Sequence, residues 1–388
     1  MLNVCDQFPF VRSRLQDIYL DSAATTQRPE YVTKKMLALL ESGVSNIGRS
    51  NYSSAERWKA VYSESREIVK SFISGTRGEL IFTSGFTEGS NLLATSLSRF
   101  NLKPEDEVLY TPRDHDSFTK PWLKAAQAEN SFKLLPVERD GYGAVSVDDI
   151  KNSITANTKI ILVTHGHNVS GRLFELSQLR KSIRQDIWIV VDGAQSMSHT
   201  KIECDNWGVD AFIFSGHKMF ASFGVGGLWL STRLFDVLQP VKFGGGGIEG
   251  PQVFEPGTPN LDGVLSLKLA VEYLNEIGIA EIEDYLKSLT KYLYENILQI
   301  QHVTLKYDIR LHTLATMLPI VSFSVENISA SEVGDVLSEN GIALRTGTMC
   351  TGITTGNLDG LVRASLHIYN TKSDIDSLIE YLTFMKAY

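Results

Sequence analysis

Short apolar runs alternate with amphipathic stretches through the first two-thirds of the chain. The runs carry few polar residues, which is typical of strands that are buried on both faces. The stretches 87–99 and 176–184 have apolar residues at helical spacing and predict helices between the strands. This alternation predicts a mainly parallel sheet with helices on both faces, an α/β fold. The predicted strands are residues 79–83, 107–111, 132–137, 159–165, 187–192, 211–215 and 226–231.

The last third of the chain has a different pattern. Long helical stretches at 263–276 and 279–300 precede three strand-like runs, and a last helix is predicted to begin near Thr371. The length and the change of pattern predict two domains. These are a large α/β domain of residues 18–260 and a smaller α+β domain of residues 1–17 and 261–388.

Composition and charge narrow the class of protein. The 388 residues are 43% hydrophobic and 21% charged, as in ordinary globular proteins. The net charge of −8 disfavours nucleic acid as a partner. We expect no membrane segment, because no apolar run approaches the ~18 residues that a span needs, and no secretory signal. Cys5, Cys204 and Cys350 form no CxxC pair, so we predict no disulfide, no metal site and a reducing cytoplasm.

Polar residues collect where the predicted strands end, which is where parallel sheets bind ligands. The strand 211–215 leads directly into Gly216, His217 and Lys218. Burial of a lysine lowers its pKa toward the neutral amine, a nucleophile that forms a Schiff base with a carbonyl. The alternative is a lysine whose side chain extends past the strand end into solvent.

A neighbouring strand supplies a partner for a cofactor on this lysine. Asp192 ends the strand 187–192 and would keep the pyridinium nitrogen of pyridoxal phosphate protonated, which makes the ring an electron sink. Gln195 would donate to the ring hydroxyl oxygen. A carboxylate at a strand end is alternatively an ordinary turn or capping residue.

The segment "TSGFTEGSN" predicts a phosphate site. Gly85 allows a tight turn, and Thr87 opens a helix whose amides and hydroxyl would point at one phosphate. Ser215 and His217 would complete the site, and His115 would lie flat over the pyridine ring. In the alternative interpretation, Thr87 is an ordinary helix cap and His115 a surface histidine.

Eight motifs extend this set over almost the whole chain, from about residue 18 to its end. They are "YLDSAATT", "GFTEGSN", "THGHNVSG", "VDGAQSMSH", "FSGHKMF", "FEPGTPN", "GIALRTGTMC" and "VRASLHIYNT". In order and spacing the chain resembles group II cysteine desulfurases and selenocysteine lyases. These are class V aminotransferases of pyridoxal-phosphate fold type I. The resemblance identifies Lys218 as the cofactor lysine.

The resemblance implies further roles at matching positions. Asn168 would reach the cofactor or the substrate. Thr258 would bind the phosphate in the neighbouring subunit, which implies a homodimer. Arg363 would hold the substrate α-carboxylate by a bidentate pair, with a structural salt bridge as the alternative. Tyr52 and Arg345 complete the predicted substrate-binding residues.

Other positions depart from the family. Cys350 stands where the family has its sulfur-accepting cysteine, but Thr348 and Met349 replace the histidines or similar polar residues that usually precede it. The alternative for Cys350 is a buried, inert thiol. Phe86 replaces a threonine of the phosphate turn, and Tyr52 replaces a histidine. The segment after the glycine cluster 244–247 is shorter than the hairpin usual in this family.

These observations predict a pyridoxal-phosphate enzyme that converts L-cysteine to L-alanine. Catalysis would use Lys218, His115 and Cys350, and a persulfide on Cys350 would pass to an acceptor protein or a small thiol. The alternatives are a C–S β-lyase or an aminotransferase for another amino acid, and a non-catalytic binding protein with this fold. The intact set of Asp192, Gln195, His217 and Lys218 argues against the last alternative.

Overall fold

The computed structural model describes most of the chain. The described residues are 2, 4–13, 18–48, 50–129, 131–137, 145–247, 249–307, 316–351 and 360–385. Residues 1, 3 and 14–17 of the N-terminal segment assigned to the smaller domain lie outside them.

All seven strands predicted in the first two-thirds of the chain are present. They are β2 to β8 in the numbering used here. The strands of the described chain are β1 (Ile18–Tyr19), β2 (Gly78–Thr83), β3 (Glu107–Tyr110), β4 (Lys133–Pro136), β5 (Thr158–Thr164), β6 (Trp188–Asp192), β7 (Ala211–Ser215), β8 (Gly226–Ser231), β9 (Val303–Leu305), β10 (Ile320–Val325), β11 (Ile342–Ala343), β12 (Arg345–Thr346) and β13 (Val362–Ser365). The large sheet has the order β2-β8-β7-β6-β5-β3-β4. Strands β3 to β7 pair in parallel, whereas β8 is antiparallel to β7 and β2. The predicted α/β fold with a mainly parallel sheet is confirmed.

The central strands of this sheet are buried on both faces. Ile161 of β5 and Val191 of β6 belong to the apolar cluster on one face. Their neighbours Ile160 and Val190 belong to the cluster on the other face. Successive strand residues point to opposite faces, so each strand needs apolar residues at nearly every position.

Helices cover both faces of the sheet. The helices of the described chain are α1 (Pro9–Arg12), α2 (Glu30–Glu41), α3 (Ser53–Phe72), α4 (Phe86–Phe100), α5 (Asp116–Glu129), α6 (Val147–Ser153), α7 (Leu176–Ser182), α8 (Cys204–Trp207), α9 (Thr232–Phe235), α10 (Leu261–Ile277), α11 (Ile279–Ile297), α12 (Ala330–Glu339) and α13 (Lys372–Phe384), of which α12 packs on the strands of the C-terminal part. Helix α10 packs against α2 and α3, and α4 packs against α5 and the sheet. Thr371 caps α13 with its side chain, where the sequence predicted the start of the last helix.

The C-terminal part contains a second, antiparallel sheet of order β12-β13-β10-β9. Strand β1 leaves the N-terminal part and pairs in parallel with β11, so that Ile18 lies beside Ile342. The division of the chain near residue 260 stays a prediction. None of the described helices is long and apolar enough to cross a membrane.

Candidate active site

A cavity of about 280 Å³ lies beyond the carboxyl ends of the parallel strands. It brings together most of the residues predicted for the site. Those that line it are Phe86, Thr87, His115, Asn168, Asp192, Gln195, Ser215, His217, Lys218, Arg345, Cys350 and Arg363. Residues from both sheets therefore face one space.

Three predicted residues are not part of this lining. Gly85 is the N-cap of α4, directly before two residues that line the cavity. Tyr52 is 55% exposed at the start of α3. Thr258 is exposed, and its predicted contact belongs to a second subunit. The roles of Tyr52 and Thr258 stay predictions.

Lys218 reaches the cavity because a fully buried strand ends in a tight turn. Strand β7 is followed by a 3₁₀ turn, Gly216–Lys218. A Cβ atom on Gly216 would lie 2.8 Å from Cγ1 of Val225, so only glycine fits there. Ser198 donates its hydroxyl to the Lys218 carbonyl oxygen at 3.0 Å. Burial lowers the pKa of Lys218 to about 8, although Asp192 opposes this shift.

Asp192 ends β6 and is buried beside the same cavity. Burial raises the pKa of Asp192 to about 6, while the Ala194 N–H and Lys218 oppose the rise. The Ala194 N–H donates to Oδ1 of Asp192 at 2.8 Å. The amide of Gln195 donates to the Ala23 carbonyl oxygen at 2.8 Å, which fixes its orientation. A carboxyl group and an amide thus hold fixed positions at the sheet edge.

The turn between β2 and α4 contains the residues that the sequence predicts to bind a phosphate. Gly85 has φ of 149°, in the range that favours glycine. The Phe86 N–H donates to the Ser215 hydroxyl at 2.9 Å, which ties this turn to the end of β7. The Phe86 ring packs edge-on against Phe118 in the core, so this position offers no hydroxyl. The hydroxyl of exposed Thr87 remains available.

His217 closes the other side of this site. Its ring stacks on Phe223 with 5.5 Å between the ring centroids. Burial, followed by Lys218, lowers the pKa of His217 to about 4. Its Nδ1 atom is buried without a hydrogen-bond partner among the described residues. A buried polar nitrogen of this kind is free to bind a ligand oxygen.

His115 is held by a residue that the sequence analysis did not identify. The Ser117 N–H donates to Nδ1 of His115 at 3.2 Å, and the Ser117 hydroxyl lies 2.7 Å from the same atom. Nδ1 therefore accepts, and Nε2 carries the ring proton. Burial, followed by the charge of Lys218, lowers the pKa of His115 to about 4. His115 is a neutral imidazole at pH 7.

Two arginines and one carboxylate form the opposite side of the cavity. Arg363 is 3% exposed, and it donates to the Asn168 carbonyl oxygen at 3.0 Å and to Oδ1 of Asp21 at 3.1 Å. Arg345 donates to Oδ2 of Asp21 through Nη2 at 2.8 Å and Nε at 3.1 Å. The salt bridge considered as an alternative for Arg363 is present, yet Arg363 also lines the cavity. Only the motif "YLDSAATT" pointed to Asp21.

Cys350 is exposed at the cavity, not buried as its alternative interpretation required. Met349 and Cys350 have φ of 53° and 56°, so the turn bends through left-handed backbone. The Asn168 amide donates to the Met349 carbonyl oxygen at 3.0 Å, and the Asp116 N–H donates to the Cys350 carbonyl oxygen at 2.8 Å. The Met349 side chain packs with Val169 in an apolar cluster. The turn is thus attached to two walls of the cavity.

We find no group of metal-ligating side chains among the described residues. Between β8 and α10 the described chain has no strand, only a short helix and the 3₁₀ turn Gly250–Phe254. This agrees with the shorter segment seen in the sequence.

Comparison with known proteins connects this site to a family. The profile of the aminotransferase class-V family matches residues 18–378. A probable cysteine desulfurase from Halalkalibacterium halodurans is 33% identical over 96% of this chain and 93% of its own. The apo structure of a cysteine desulfurase from Thermococcus onnurineus NA1 superposes with a TM-score of 0.90 at 29% identity, covering 98% of this chain and 96% of that one. The structure of a cysteine desulfurase from Escherichia coli gives a TM-score of 0.85 at 27% identity, covering 97% and 95%. With the family profile matching nearly the whole chain, the protein belongs to the class V aminotransferases.

Proposed function

We propose that the protein is a pyridoxal-phosphate-dependent cysteine desulfurase. It converts L-cysteine to L-alanine and leaves a persulfide on Cys350. The observation that carries this proposal is the meeting of Lys218, Cys350 and Arg363 around one cavity. The relatives named cysteine desulfurases, similar over nearly their whole length, support it.

The residues of the cavity fit pyridoxal phosphate. The phosphate would lie at the start of α4, where it meets Thr87, Ser215 and the unpartnered Nδ1 of His217. Asp192 would pair with the pyridinium nitrogen, and Lys218 would carry the cofactor. When bound, the cofactor supplies an electron sink that stabilises negative charge on substrate carbon atoms.

Each residue of the chain then has a chemical task. Arg363 holds the α-carboxylate of the substrate by charge-assisted hydrogen bonds. Lys218, with its pKa lowered to about 8, removes and returns a proton at the substrate Cα near neutral pH. His115 presents its Nε2 proton to the cavity and orients the bound groups.

The sulfur step uses Cys350. Its sulfur attacks the substrate sulfur, and the C–S bond breaks as the new S–S bond forms. The Cβ atom takes up a proton, so that cysteine and one thiol yield alanine and one persulfide. Lys218, Arg345 and Arg363 line the same cavity as Cys350, so its sulfur faces positively charged groups. Met349 takes no part, because its side chain packs in an apolar cluster.

Incubation of the yellow holoenzyme with L-cysteine tests the proposal. We expect equal amounts of alanine and protein-bound or released persulfide sulfur. Pyruvate and ammonia without alanine would reject a desulfurase and favour the β-lyase.

The variant Cys350→Ser separates the two reactions further. A desulfurase should lose sulfur transfer, whereas a β-lyase should keep its turnover. Cys5→Ser is the matched control, because Cys5 is not among the residues that line the cavity. Its thiol donates a hydrogen bond to the Tyr369 carbonyl oxygen.

Quaternary structure and sulfur acceptor follow from the same proposal. A homodimer would place Thr258 at the phosphate of the neighbouring subunit, and Thr258→Ala should weaken cofactor binding without removing Lys218 chemistry. An acceptor protein or a small thiol would take the sulfur from exposed Cys350. The three unpaired cysteines favour a reducing cytoplasm as its compartment.

A further inference from the structure

The two arginines of the cavity do not have equal freedom to bind a substrate. Arg345 donates hydrogen bonds to Asp21 from both Nε and Nη2. These two donors form one edge of the guanidinium group, which would otherwise bind a substrate carboxylate. Arg363 gives Asp21 a single Nη2 contact, and its Nε is buried without a partner among the described residues. Arg363 therefore keeps its buried Nε for a ligand, whereas the Nε–Nη2 edge of Arg345 is occupied by Asp21 and only its Nη1 side remains.

The charges around the cavity lead to the same distinction. The cations that line the described cavity are Lys218, Arg345 and Arg363, and the carboxylate is Asp192. With the cofactor bound, Lys218 would carry it and Asp192 would pair with its pyridinium nitrogen, which leaves the arginine pair to meet the substrate. The Asp21 side chain is 14% exposed and contacts both arginines, so Asp21, Arg345 and Arg363 together have a net charge of plus one. One substrate carboxylate balances it.

We propose that Asp21 determines substrate specificity, because it neutralises Arg345 and so limits the site to amino acids with a single carboxylate. An amino acid with an acidic side chain would bring a second negative charge toward Arg345 and Cys350. Asp21 already balances the charge of Arg345 there. This inference rests on the proposed function, because it takes Arg363 as the residue that holds the α-carboxylate.

The test compares two ligands that differ by one carboxylate. Binding of L-alanine and L-aspartate to the holoenzyme is measured by titration calorimetry. We expect the wild type to bind L-aspartate at least about tenfold more weakly than L-alanine, since an unbalanced charge in a partly buried site is worth that factor or more. Equal affinities of the wild type for both ligands would overturn the proposal without any variant.

Asp21→Asn keeps the shape of the side chain and removes its charge. In this variant the ratio of the two dissociation constants should fall about tenfold, because Arg345 becomes free for the second carboxylate. The double variant Asp21→Asn/Arg345→Gln has a net charge of one again and should return the ratio to within about threefold of the wild type. A purely structural role of Asp21 predicts no such return.

Asp205→Asn is the matched control. Asp205 pairs with Arg77 and is not among the residues that line the cavity, so its variant should leave the ratio unchanged. A folded Asp21→Asn protein with an unchanged ratio would overturn the proposal. Alanine formation from L-cysteine is measured separately. If it is absent while the ratios behave as expected, the proposed function fails and the charge selection stands.

Discussion

The cavity has two walls that are built in different ways. The sheet wall consists of residues at or just after the ends of β6 and β7, namely Asp192, Gln195, Ser215, His217 and Lys218. The C-terminal wall consists of Arg345, Met349, Cys350 and Arg363. Buried strands and tight turns position the first wall. An ion pair with Asp21 and a turn of left-handed backbone position the second.

This difference separates two kinds of chemistry. The sheet wall holds the groups that fit the cofactor, and its geometry depends on neighbours in the same sheet. The C-terminal wall holds the groups proposed to meet the substrate and its sulfur, and its geometry depends on Asp21, which is 324 residues before Arg345. Changes in the first wall should remove the reaction. In the second wall, changes at the arginines should alter substrate binding, and loss of Cys350 should stop sulfur transfer.

The largest expected effect belongs to the sheet wall. Lys218→Ala should leave the fold and much of the cofactor affinity intact, because Asp192, Ser215 and His217 remain. It should lower alanine formation by ~10⁴-fold or more, since a general acid–base group alone contributes about 10²–10⁴-fold. Steady-state turnover and cofactor absorbance measure the two effects. The control is Lys201→Ala, an exposed lysine that pairs with Glu203. Near wild-type turnover of the Lys218 variant would contradict the cofactor assignment.

The next effect belongs to the C-terminal wall. Arg363→Lys keeps the positive charge but loses the planar pair of donors. We expect kcat/KM for L-cysteine to fall by about 10- to 100-fold, in line with the loss of charge-assisted hydrogen bonds, mostly through KM. Cofactor binding should be unchanged. A drop in cofactor affinity equal to the drop in kcat/KM would mean that the two walls are not separate.

The free energy of unfolding should depend on pH, because buried histidines lie near the sheet wall. Burial lowers the pKa of His165 to about 3 and that of His199 to about 4. A histidine with a lowered pKa stabilises the folded protein at pH values above about 6.5, its pKa in the unfolded chain. This stabilisation is lost as the pH falls toward the pKa in the folded protein. Asp192 acts in the opposite direction, because its pKa is raised to about 6.

We therefore expect the melting temperature to fall between pH 6.5 and pH 4, with a few kcal/mol of unfolding free energy lost. Nδ1 of His165 has no hydrogen-bond partner in the part of the chain that the structure describes, and the ring packs on Trp207, so His165→Phe should make this fall less steep. Thermal unfolding across this pH range is the measurement. An equally steep fall in the variant would show that His165 does not carry the effect.

The smallest effect concerns the hydrogen bond between Ser117 and His115. The Ser117 hydroxyl donates to Nδ1 and stabilises the neutral ring, so Ser117→Ala should raise the pKa of His115. The acid limb of the kcat/KM profile should move to higher pH by about one unit or less, the range of a single hydrogen bond. Ser117→Thr keeps the hydroxyl and should restore the wild-type profile. Identical profiles for all three proteins would exclude this role.

The sheet wall could be predicted from the sequence because each of its residues follows a recognisable strand. Asp192 and Lys218 stand directly beyond apolar runs, and parallel strands bring their ends to one edge. The antiparallel direction of β8 was not visible, because a strand that is buried on both faces has the same apolar pattern in either direction.

The C-terminal wall was only partly predictable. Arg363 and Cys350 were assigned by resemblance, but nothing in the local pattern shows that Asp21 would bind both arginines. Ser117 was missed for a similar reason, since a serine two residues after a histidine is common and its contact depends on the local turn. Long-range ion pairs and side-chain contacts are properties of the folded chain.

The pairing of β1 with β11 has a consequence for biosynthesis. A ribosome adds about 5–20 residues per second, so Asp21 emerges on the order of tens of seconds before its partner 324 residues later. The strands of the large sheet leave the ribosome in that interval and have time to associate. The C-terminal wall of the cavity is completed last, when Arg345 and Arg363 reach Asp21 and β11 pairs with β1. A nascent chain that stops before this point would carry Lys218 but would lack the C-terminal wall of the cavity.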